Sequence, residues 1–302
     1  MHLLESHLQS KASAVPDDGG DDRIVLTEHC AAVIDGKRAK TDSKHLWNGE
    51  FRPPGEIGAE ILAKAVAEMD PSLTASQACA FLDGRILQTY KDMDILDIVK
   101  THPVERFSAI MALYSKQGKY VMLAGECQVI VGGAHYQNHK MTDTLNAEVR
   151  SKELHRLINE GILTEECLLK MDVNSDPGRK LILDPPPGSS FPGLRGQTRY
   201  QNNLGSPYGF FVFDGFADCK VPGFSVIDVP DYAHEVILAS RGYIVPQGTH
   251  PADALFNLKN AEQNLNHVVT HDPCAYKLFK GTKGKGNDHS FDDRAYLRVA
   301  IQ

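Results

Sequence analysis

Apolar and polar positions along the chain first indicate a strand and then a long amphipathic helix. Residues 23–34 are rich in β-branched and apolar side chains and end at a turn signal, Asp35-Gly36. From residue 55 onward, the apolar residues instead follow helical spacing until Asp-Pro interrupts them. The residues of this predicted helical face are Ile57, Ile61, Leu62, Ala65 and Val66.

The next segments extend this helical pattern. Ser72 or Thr74 can cap a second helix, which is predicted to run through Phe81. Two more helices are predicted over residues 92–100 and 104–116. The first half of the chain is therefore predicted to be rich in helix.

The second half of the chain carries more strand-like and turn-like segments. Strand character is predicted for residues 120–131, and a helix pair follows over residues 145–169. Beyond residue 172, proline, glycine and aromatic residues form a weakly periodic connection. The remaining predictions are strands at 209–213, 224–229, 235–238 and 295–301 and a helix at 252–269.

This order of elements predicts an α+β fold. We expect a helix-rich N-terminal half, a strand-rich C-terminal half and a single mixed sheet, because the regular βαβ alternation of a doubly wound sheet is absent. Residues 1–22 are predicted to be a disordered leader that ends in an acidic run. Residues 23–302 are predicted to be one domain, with a sub-boundary near 172–208.

The composition limits the partners of the protein. The formal net charge is -7, from 39 acidic and 32 basic residues, so a surface built to neutralise nucleic-acid phosphates is not expected. No segment reaches the roughly 18 to 20 consecutive apolar residues of a membrane-spanning helix. We therefore expect a cytoplasmic protein that contacts a small polar substrate or a protein partner, with secretion by a non-classical route left open.

The six cysteines are far apart in the sequence and include no CxxC pair. This spacing matches neither a zinc ribbon nor a compact disulfide framework. Because free cysteine is among the most buried residue types, buried and reduced thiols are predicted.

The segment 120–141 combines a cysteine, a glutamate and two histidines with a strand-like run. Cys127 is a candidate nucleophile and His135 a candidate base, provided that folding brings them together. A buried structural cysteine is the alternative, because the neighbouring Glu126 would raise the pKa of the thiol.

His135 and His139 stand four positions apart. On a helix this spacing places both imidazoles on one face, where they could bind a divalent metal such as zinc or iron. Ordinary surface polarity is the alternative interpretation of the histidine pair.

The segment 231–245 places Glu235 before an apolar run and an Arg-Gly turn. Over about a dozen residues it resembles the strand of mono-ADP-ribosyltransferases that carries a catalytic glutamate. The resemblance implies NAD as cofactor, with Glu235 hydrogen-bonding the nicotinamide ribose and stabilising an oxocarbenium-like transition state. It also implies that Arg195, in a short apolar-Arg-Gly sequence, binds the dinucleotide. An edge strand with an exposed Glu235 is the alternative.

These observations lead to one main hypothesis and two alternatives. The main hypothesis is an enzyme, a hydrolase or group transferase acting on a polar substrate. Its candidate catalytic residues are Cys127, His135, Glu235 and the loop residue His250. The alternatives are an NAD-dependent mono-ADP-ribosyltransferase centred on Glu235 and Arg195, and a non-enzymatic interaction module. The sequence leaves the cofactor unknown, with NAD and a divalent metal as candidates.

Overall fold

The computed structural model describes residues 1–10, 20–37, 44–164, 196–220, 223–242 and 293–301. Within these ranges the chain forms two five-stranded sheets, one two-stranded hairpin and four α-helices. The strands are β1 (His2–Gln9), β2 (Arg23–Leu26), β3 (Cys30–Gly36), β4 (His45–Trp47), β5 (Glu50–Arg52), β6 (Ala109–Ser115), β7 (Tyr120–Ala124), β8 (Gln128–Val131), β9 (Ala134–Gln137), β10 (Ser225–Asp228), β11 (Glu235–Ala239) and β12 (Arg294–Ala300). The helices are α1 (Pro54–Glu68), α2 (Ala75–Asp92), α3 (Leu96–Thr101) and α4 (Met141–Asn159). None of these helices combines the length and the apolar character that crossing a bilayer requires.

Both large sheets are antiparallel. The first sheet has the strand order β1-β12-β11-β8-β9, and the second has the order β10-β7-β6-β3-β2. Strands β4 and β5 pair with each other as a separate hairpin among the described strands. Because β12 lies between β1 and β11, the first sheet joins segments that are distant in the sequence.

The two sheets pack face to face through a shared apolar layer. Every second residue of β3 and β6 points into this layer, as the alternation of a strand requires. The second sheet contributes Ala31, Val33, Ile110, Ala112, Val121 and Leu123, and the first sheet contributes Val129, Val131, Val236, Leu238, Leu297 and Val299. Burial of this layer stabilises the sandwich by roughly 25 cal/mol for each Å² of apolar surface removed from water.

Helices α1 and α2 cover the other face of the second sheet. The remaining residues of β3 and β6, such as Ile34 and Leu113, join Ile57, Leu62 and Leu82 of the helices in a second apolar cluster. Strands β3 and β6 are therefore buried on both faces. This explains why their sequences are almost continuously apolar.

The predicted amphipathic helix is confirmed as α1, and it buries the predicted apolar face. Pro54 stands at its first position, where the missing N–H is tolerated. The predicted cap at Thr74 is also present: its side chain accepts a hydrogen bond from the backbone N–H of Gln77, and the Gln77 side chain accepts one from Thr74 in return. Helix α2 continues to Asp92, well beyond the predicted end.

The predicted fold class is wrong. In place of a single mixed sheet there are two large antiparallel sheets and a hairpin, and strands β1 to β6 lie before residue 118, in the region that was predicted to be helix-rich. The helix predicted over residues 104–116 is strand β6, preceded by a short 3-10 turn at Pro103–Glu105. Because β6 is buried on both faces, its sequence lacks the alternation that marks a half-buried strand.

Two further regions differ from what the sequence indicated. Residues His2–Gln9, within the predicted leader, form β1 and pair with β12, while residues 11–19 lie outside the described ranges. Cys79 of α2 forms a disulfide with Cys219, 140 residues later in the sequence. Cys30 and Cys127 are buried free thiols, as predicted for cysteines of this chain.

Candidate functional site

The ends of strands from both sheets meet at one end of the sandwich. Strands β3, β7 and β11 end there and β6, β8 and β12 begin there, because antiparallel neighbours place opposite ends side by side. The turns at this end carry charged side chains that are largely buried. We call this group the end cluster, and its members are Asp35, Lys37, Glu126, Lys140, Asp143 and Arg241.

Arg241 connects the two sheets through its guanidinium group. It follows β11 of the first sheet, and its Nε lies 3.2 Å from Oδ2 of Asp35 in β3 of the second sheet. Its Nη1 lies 4.0 Å from Oε2 of Glu126, in the turn between β7 and β8. Asp35 and Glu126 are only 3% and 4% exposed. Buried carboxylates require a counter-charge, which Arg241 supplies.

Two glycines allow the backbone to pack closely beside these charges. A Cβ on Gly36 would lie 2.5 Å from the carbonyl oxygen of Asp21, and a Cβ on Gly242 would lie 2.1 Å from that of Asp293. No side chain fits at such distances, so glycine is required at both positions. The sequences Asp35-Gly36 and Arg241-Gly242 thus set a charged side chain next to a tightly packed backbone.

Lys37 and Lys140 direct their ammonium groups at the same aromatic ring. Each Nζ lies 4.1 Å from the centroid of the Phe210 ring. Lys140 also donates a hydrogen bond of 2.8 Å to Oε1 of Gln197 and lies 3.1 Å from a carboxylate oxygen of Asp143. Lys37, by contrast, makes no ion pair within the described part of the chain. It is therefore the cation of the end cluster that is available to pair with a ligand anion.

The surrounding charges alter the titration of Lys37. Burial of the ammonium group lowers the pKa of Lys37 well below its usual range, and the positive charges of Lys140 and Arg241 lower it further. The carboxylates of Glu126 and Asp143 oppose this effect. Lys37 therefore loses its proton at a lower pH than an exposed lysine does.

The first turns of α4 add buried polar groups without partners. Oγ1 of Thr142 and both amide atoms of Asn146 make no hydrogen bond to the described residues, although Thr142 is completely buried and Asn146 is 4% exposed. The two side chains are four residues apart, on the helix face that also carries Asp143. A buried polar group without a partner costs roughly 1–3 kcal/mol. These side chains are therefore suited to hydrogen-bond a ligand.

The cations of the end cluster are suited to bind an anion. Among the residues that the structure describes, no group of three or more His, Cys, Asp or Glu side chains is placed to hold a metal. The guanidinium of Arg241 instead provides the positive charge that Asp35 and Glu126 need. Lys37, Lys140 and Arg241 together offer the charge and the N–H donors that bind phosphate and carboxylate groups.

The predicted nucleophile Cys127 lies beneath the end cluster, in the apolar layer between the sheets. Its side chain is completely buried. Burial raises the pKa of Cys127 well above its usual range, and the carboxylates of Asp35, Asp22 and Glu126 add to that effect. The thiol is therefore held in its neutral form, which is a poor nucleophile.

His135 lies on the other side of the first sheet from Cys127. It belongs to β9, not to a helix, and it pairs with Ile130 of β8, which points away from the layer that holds Cys127. Its Nε2 lies 3.1 Å from Oε1 of Gln128. Burial and the neighbouring His139 lower the pKa of His135. The structure thus does not pair Cys127 with His135, and it brings no third ligand to the two histidines among the described residues.

Glu235 lies at the opposite end of β11 from Arg241, about 20 Å away for a strand of this length. Its Oε2 accepts hydrogen bonds from Nε and Nη2 of Arg298, at 2.9 and 2.7 Å. Arg195 and His250 lie outside the described residues. Their assignments as dinucleotide-binding and catalytic residues therefore stay predictions, as does the use of NAD.

Sequence reasoning missed Lys37, Lys140 and Arg241 as members of one site. One local signal was present, since both Asp35 and Arg241 stand directly before a glycine at the end of an apolar strand. The two lysines carry no such signal. Only the packing of the sheets and α4 brings them to the same ring.

A second buried charged group lies between α2 and the chain that follows Phe213. We call it the Asp214 cluster, and its members are Asp83, Arg106, Gln201, Asn202 and Asp214. Oδ2 of Asp214 accepts hydrogen bonds from Arg106 at 3.0 Å and Gln201 at 2.9 Å, and Oδ1 accepts one from Asn202 at 2.8 Å. The oxygens of Asp83 accept three backbone N–H groups, at 2.9 to 3.0 Å. All four carboxylate oxygens are thus satisfied within the protein.

Comparison with known proteins adds distant structural similarities. No model of a known protein family and no curated protein sequence matches the chain. The catalytic domain of the serine threonine protein phosphatase PstP, solved with two manganese ions, is 14% identical with a TM-score of 0.41, covering 99% of this chain and 98% of that chain. The serine/threonine phosphatase Stp1 from Staphylococcus aureus is 14% identical with a TM-score of 0.39, covering 100% and 98%. A C. elegans sex determining protein is 11% identical with a TM-score of 0.40, covering 100% of this chain and 65% of that chain. Similarity at this level transfers neither fold nor activity to the chain.

Proposed function

We propose that the protein binds the anionic group of a small polar substrate at the end cluster and acts on that substrate as a hydrolase or group transferase. One observation carries the proposal. Lys37 lies over Phe210 beside a second lysine, with no ion pair among the described residues. A phosphate or carboxylate group would supply the missing counter-charge.

The chemistry of the end cluster supports a reaction as well as binding. Lys140 and Arg241 keep positive charge next to the proposed binding position, where it can stabilise negative charge that develops during transfer of a phosphoryl or acyl group. Lys37 has a lowered pKa, so its neutral amine can accept a proton from an attacking water or hydroxyl. Lys37 would thus bind the substrate as an ammonium group or activate the nucleophile as an amine, depending on pH.

The polar groups of α4 support the same position for the substrate. Thr142 and Asn146 follow Lys140 within two turns of helix, and their side chains lack partners among the described residues. Hydrogen bonds to substrate oxygens would remove the roughly 1–3 kcal/mol cost of leaving each group unpaired. Substrate binding is therefore expected to stabilise the folded protein.

Phosphate binding tests the first half of the proposal. Isothermal titration calorimetry with inorganic phosphate is expected to show saturable binding that Lys37→Met weakens about 10- to 100-fold, because a charged hydrogen bond contributes roughly 1.5–3 kcal/mol. Binding is also expected to weaken as the pH rises through the lowered pKa of Lys37, since the ammonium group is lost. Lys119→Met is the matched control, because Lys119 is exposed and pairs with Asp231 at the other end of β7.

Turnover tests the second half. Release of p-nitrophenol from p-nitrophenyl phosphate, and from the corresponding acetate ester, is expected in the wild type and is expected to fall in Lys37→Met. Equal phosphate affinity in Lys37→Met and the wild type would contradict the binding site. Binding without hydrolysis or transfer of any tested ester would contradict the catalytic role and favour the interaction module.

A further inference from the structure

Two buried carboxylates contact the side chain of Arg241. Asp22, Asp35 and Glu126 are 1%, 3% and 4% exposed, and all three act on the buried thiol of Cys127 together with Arg241. Asp35, Glu126 and Arg241 are therefore neighbours at one end of the sandwich. Within it, the guanidinium contacts Asp35 and Glu126 from two different sheets.

Carboxylates that converge in this way usually neutralise one another's charge through a divalent cation, because Mg²⁺, Mn²⁺ and Ca²⁺ prefer oxygen ligands. Here the positive charge is covalently part of the chain. A guanidinium cannot lose its proton in a protein, so this charge stays in place at every physiological pH. Arg241 contacts both Asp35 and Glu126, at 3.2 and 4.0 Å, so its positive charge lies where an ion bound by these two carboxylates would lie.

The backbone holds Arg241 firmly in this position. The preceding residue, Ser240, is completely buried, and its backbone N–H donates to the carbonyl oxygen of Ala295 at 2.9 Å. The Ser240 hydroxyl oxygen in turn accepts a hydrogen bond of 3.0 Å from the N–H of Ala295. Gly242 then allows the close approach to Asp293. A different side chain at position 241 would therefore start from the same place in the cluster.

We infer that Arg241 takes the place of a divalent cation in the end cluster, so that the protein works without a metal there, and that exchange of Arg241 for an acidic residue creates a Mn²⁺ site. The inference goes beyond the proposed function and does not depend on it, because it concerns the carboxylates and not the ligand of Lys37. It gives position 241 a specific role: the residue type there decides whether the cluster binds a metal ion.

Metal titration of variants at position 241 tests the inference. Isothermal titration calorimetry and the electron paramagnetic resonance signal of Mn²⁺ are expected to show no specific binding to the wild type. Arg241→Asp is expected to bind Mn²⁺ at least tenfold more tightly, an effect of about 1.4 kcal/mol or more. Arg298→Asp is the matched control, because it also exchanges an arginine paired with a glutamate, but at the opposite end of β11. This control is expected to leave Mn²⁺ binding unchanged.

A second variant keeps the test decisive if Arg241→Asp does not fold. Arg241→Gln removes the charge with a smaller disturbance, and Mn²⁺ is expected to raise its melting temperature while leaving that of the wild type unchanged. Tight Mn²⁺ binding to the wild type would overturn the inference, and so would folded Arg241→Asp or Arg241→Gln without any response to Mn²⁺. Since no phosphate is present in these titrations, their failure is distinguishable from a failure of the anion site.

Discussion

The end cluster and the Asp214 cluster are both buried and charged, but their polar groups differ in the hydrogen-bond partners that they have. In the Asp214 cluster, two carboxylates are surrounded by an arginine, two amides and several backbone N–H groups that satisfy every oxygen. The end cluster brings three cations together, and polar side chains of α4 that follow Lys140 in the sequence lack partners among the described residues. In the Asp214 cluster these hydrogen bonds offset the cost of burying charge.

This difference separates a structural role from a ligand-binding role. A hydrogen-bond network in which every polar group has a partner fixes the position of the elements that contribute to it. The Asp214 cluster in this way fixes α2 against the chain after Phe213, beside the Cys79–Cys219 disulfide. Unsatisfied groups and crowded like charges lower stability, and natural proteins tolerate them mainly where function requires them. The comparison therefore predicts opposite responses to equivalent substitutions in the two clusters.

The largest effect is expected from removing Asp214. Asp214→Ala leaves the guanidinium of Arg106 without its carboxylate partner and removes acceptors from Gln201 and Asn202. Breaking a buried pair costs about 3–5 kcal/mol of unfolding free energy, which urea denaturation measures. Phosphate affinity at the end cluster is expected to stay unchanged in the folded fraction. A loss below about 1 kcal/mol would show that the Asp214 cluster does not hold the fold.

The pH dependence of stability is expected to come next. Burial and the charge of Asp214 raise the pKa of Asp83 to about 7, although its three backbone N–H donors favour the carboxylate. Because the ordinary pKa of an aspartate, 3.8, is lower, the folded state binds an extra proton between these two pH values. The stabilisation from this group is thus complete below the unfolded pKa and is lost as the pH rises through about 7.

The size of this change is on the order of a few kcal/mol, since each pKa unit corresponds to about 1.36 kcal/mol. Urea unfolding of the wild type and of Asp83→Asn between pH 4 and 7 measures this change. It is the difference between the two proteins in the slope of unfolding free energy against pH. The variant cannot titrate and is expected to lack the fall in stability. Parallel pH profiles for the two proteins would rule out a raised pKa for Asp83.

The smallest effect is expected on α4, the helix that contributes Asp143 to the end cluster, and it has the opposite sign. Asn146→Leu replaces an unpaired buried amide by an apolar group of similar size, and we expect a gain of about 1 kcal/mol in unfolding free energy. The same variant is expected to weaken phosphate binding. Gln201→Leu is the matched change in the Asp214 cluster, and it is expected to destabilise the protein because two hydrogen bonds of Gln201 are lost. Equal destabilisation by both variants would remove the distinction between the two clusters.

The sequence predicted elements well where one face of the element meets water. Helix α1 and the Thr74 cap of α2 both lie at the protein surface, and in α1 the buried apolar and exposed polar positions alternate with the period of the helix. Strand β6 is different because sheet and helices cover both of its faces. Its sequence of alanine, methionine and leucine favours helix on local propensity, and the neighbouring strands override that preference.

The candidate site was less accessible to sequence reasoning. Cys127 and His135 are eight residues apart in the sequence, but the pleat of the first sheet places them on opposite faces. Asp35 and Arg241 are separated by more than two hundred positions, yet they form an ion pair because β3 and β11 end at the same side of the sandwich. Pairing between sheets depends on strand order, which no local pattern specifies.

The sequence by itself thus determined the surface helices, the net charge, and the glycines that follow Asp35 and Arg241. Only the tertiary structure decided which charges meet, that Lys37 and Lys140 lie over Phe210, and that Cys127 is buried beneath them. The physical reason is the range of the interactions involved. Helix periodicity, capping and turn chemistry act over a few residues, whereas buried ion pairs and sheet packing join residues that are close only after the chain has folded.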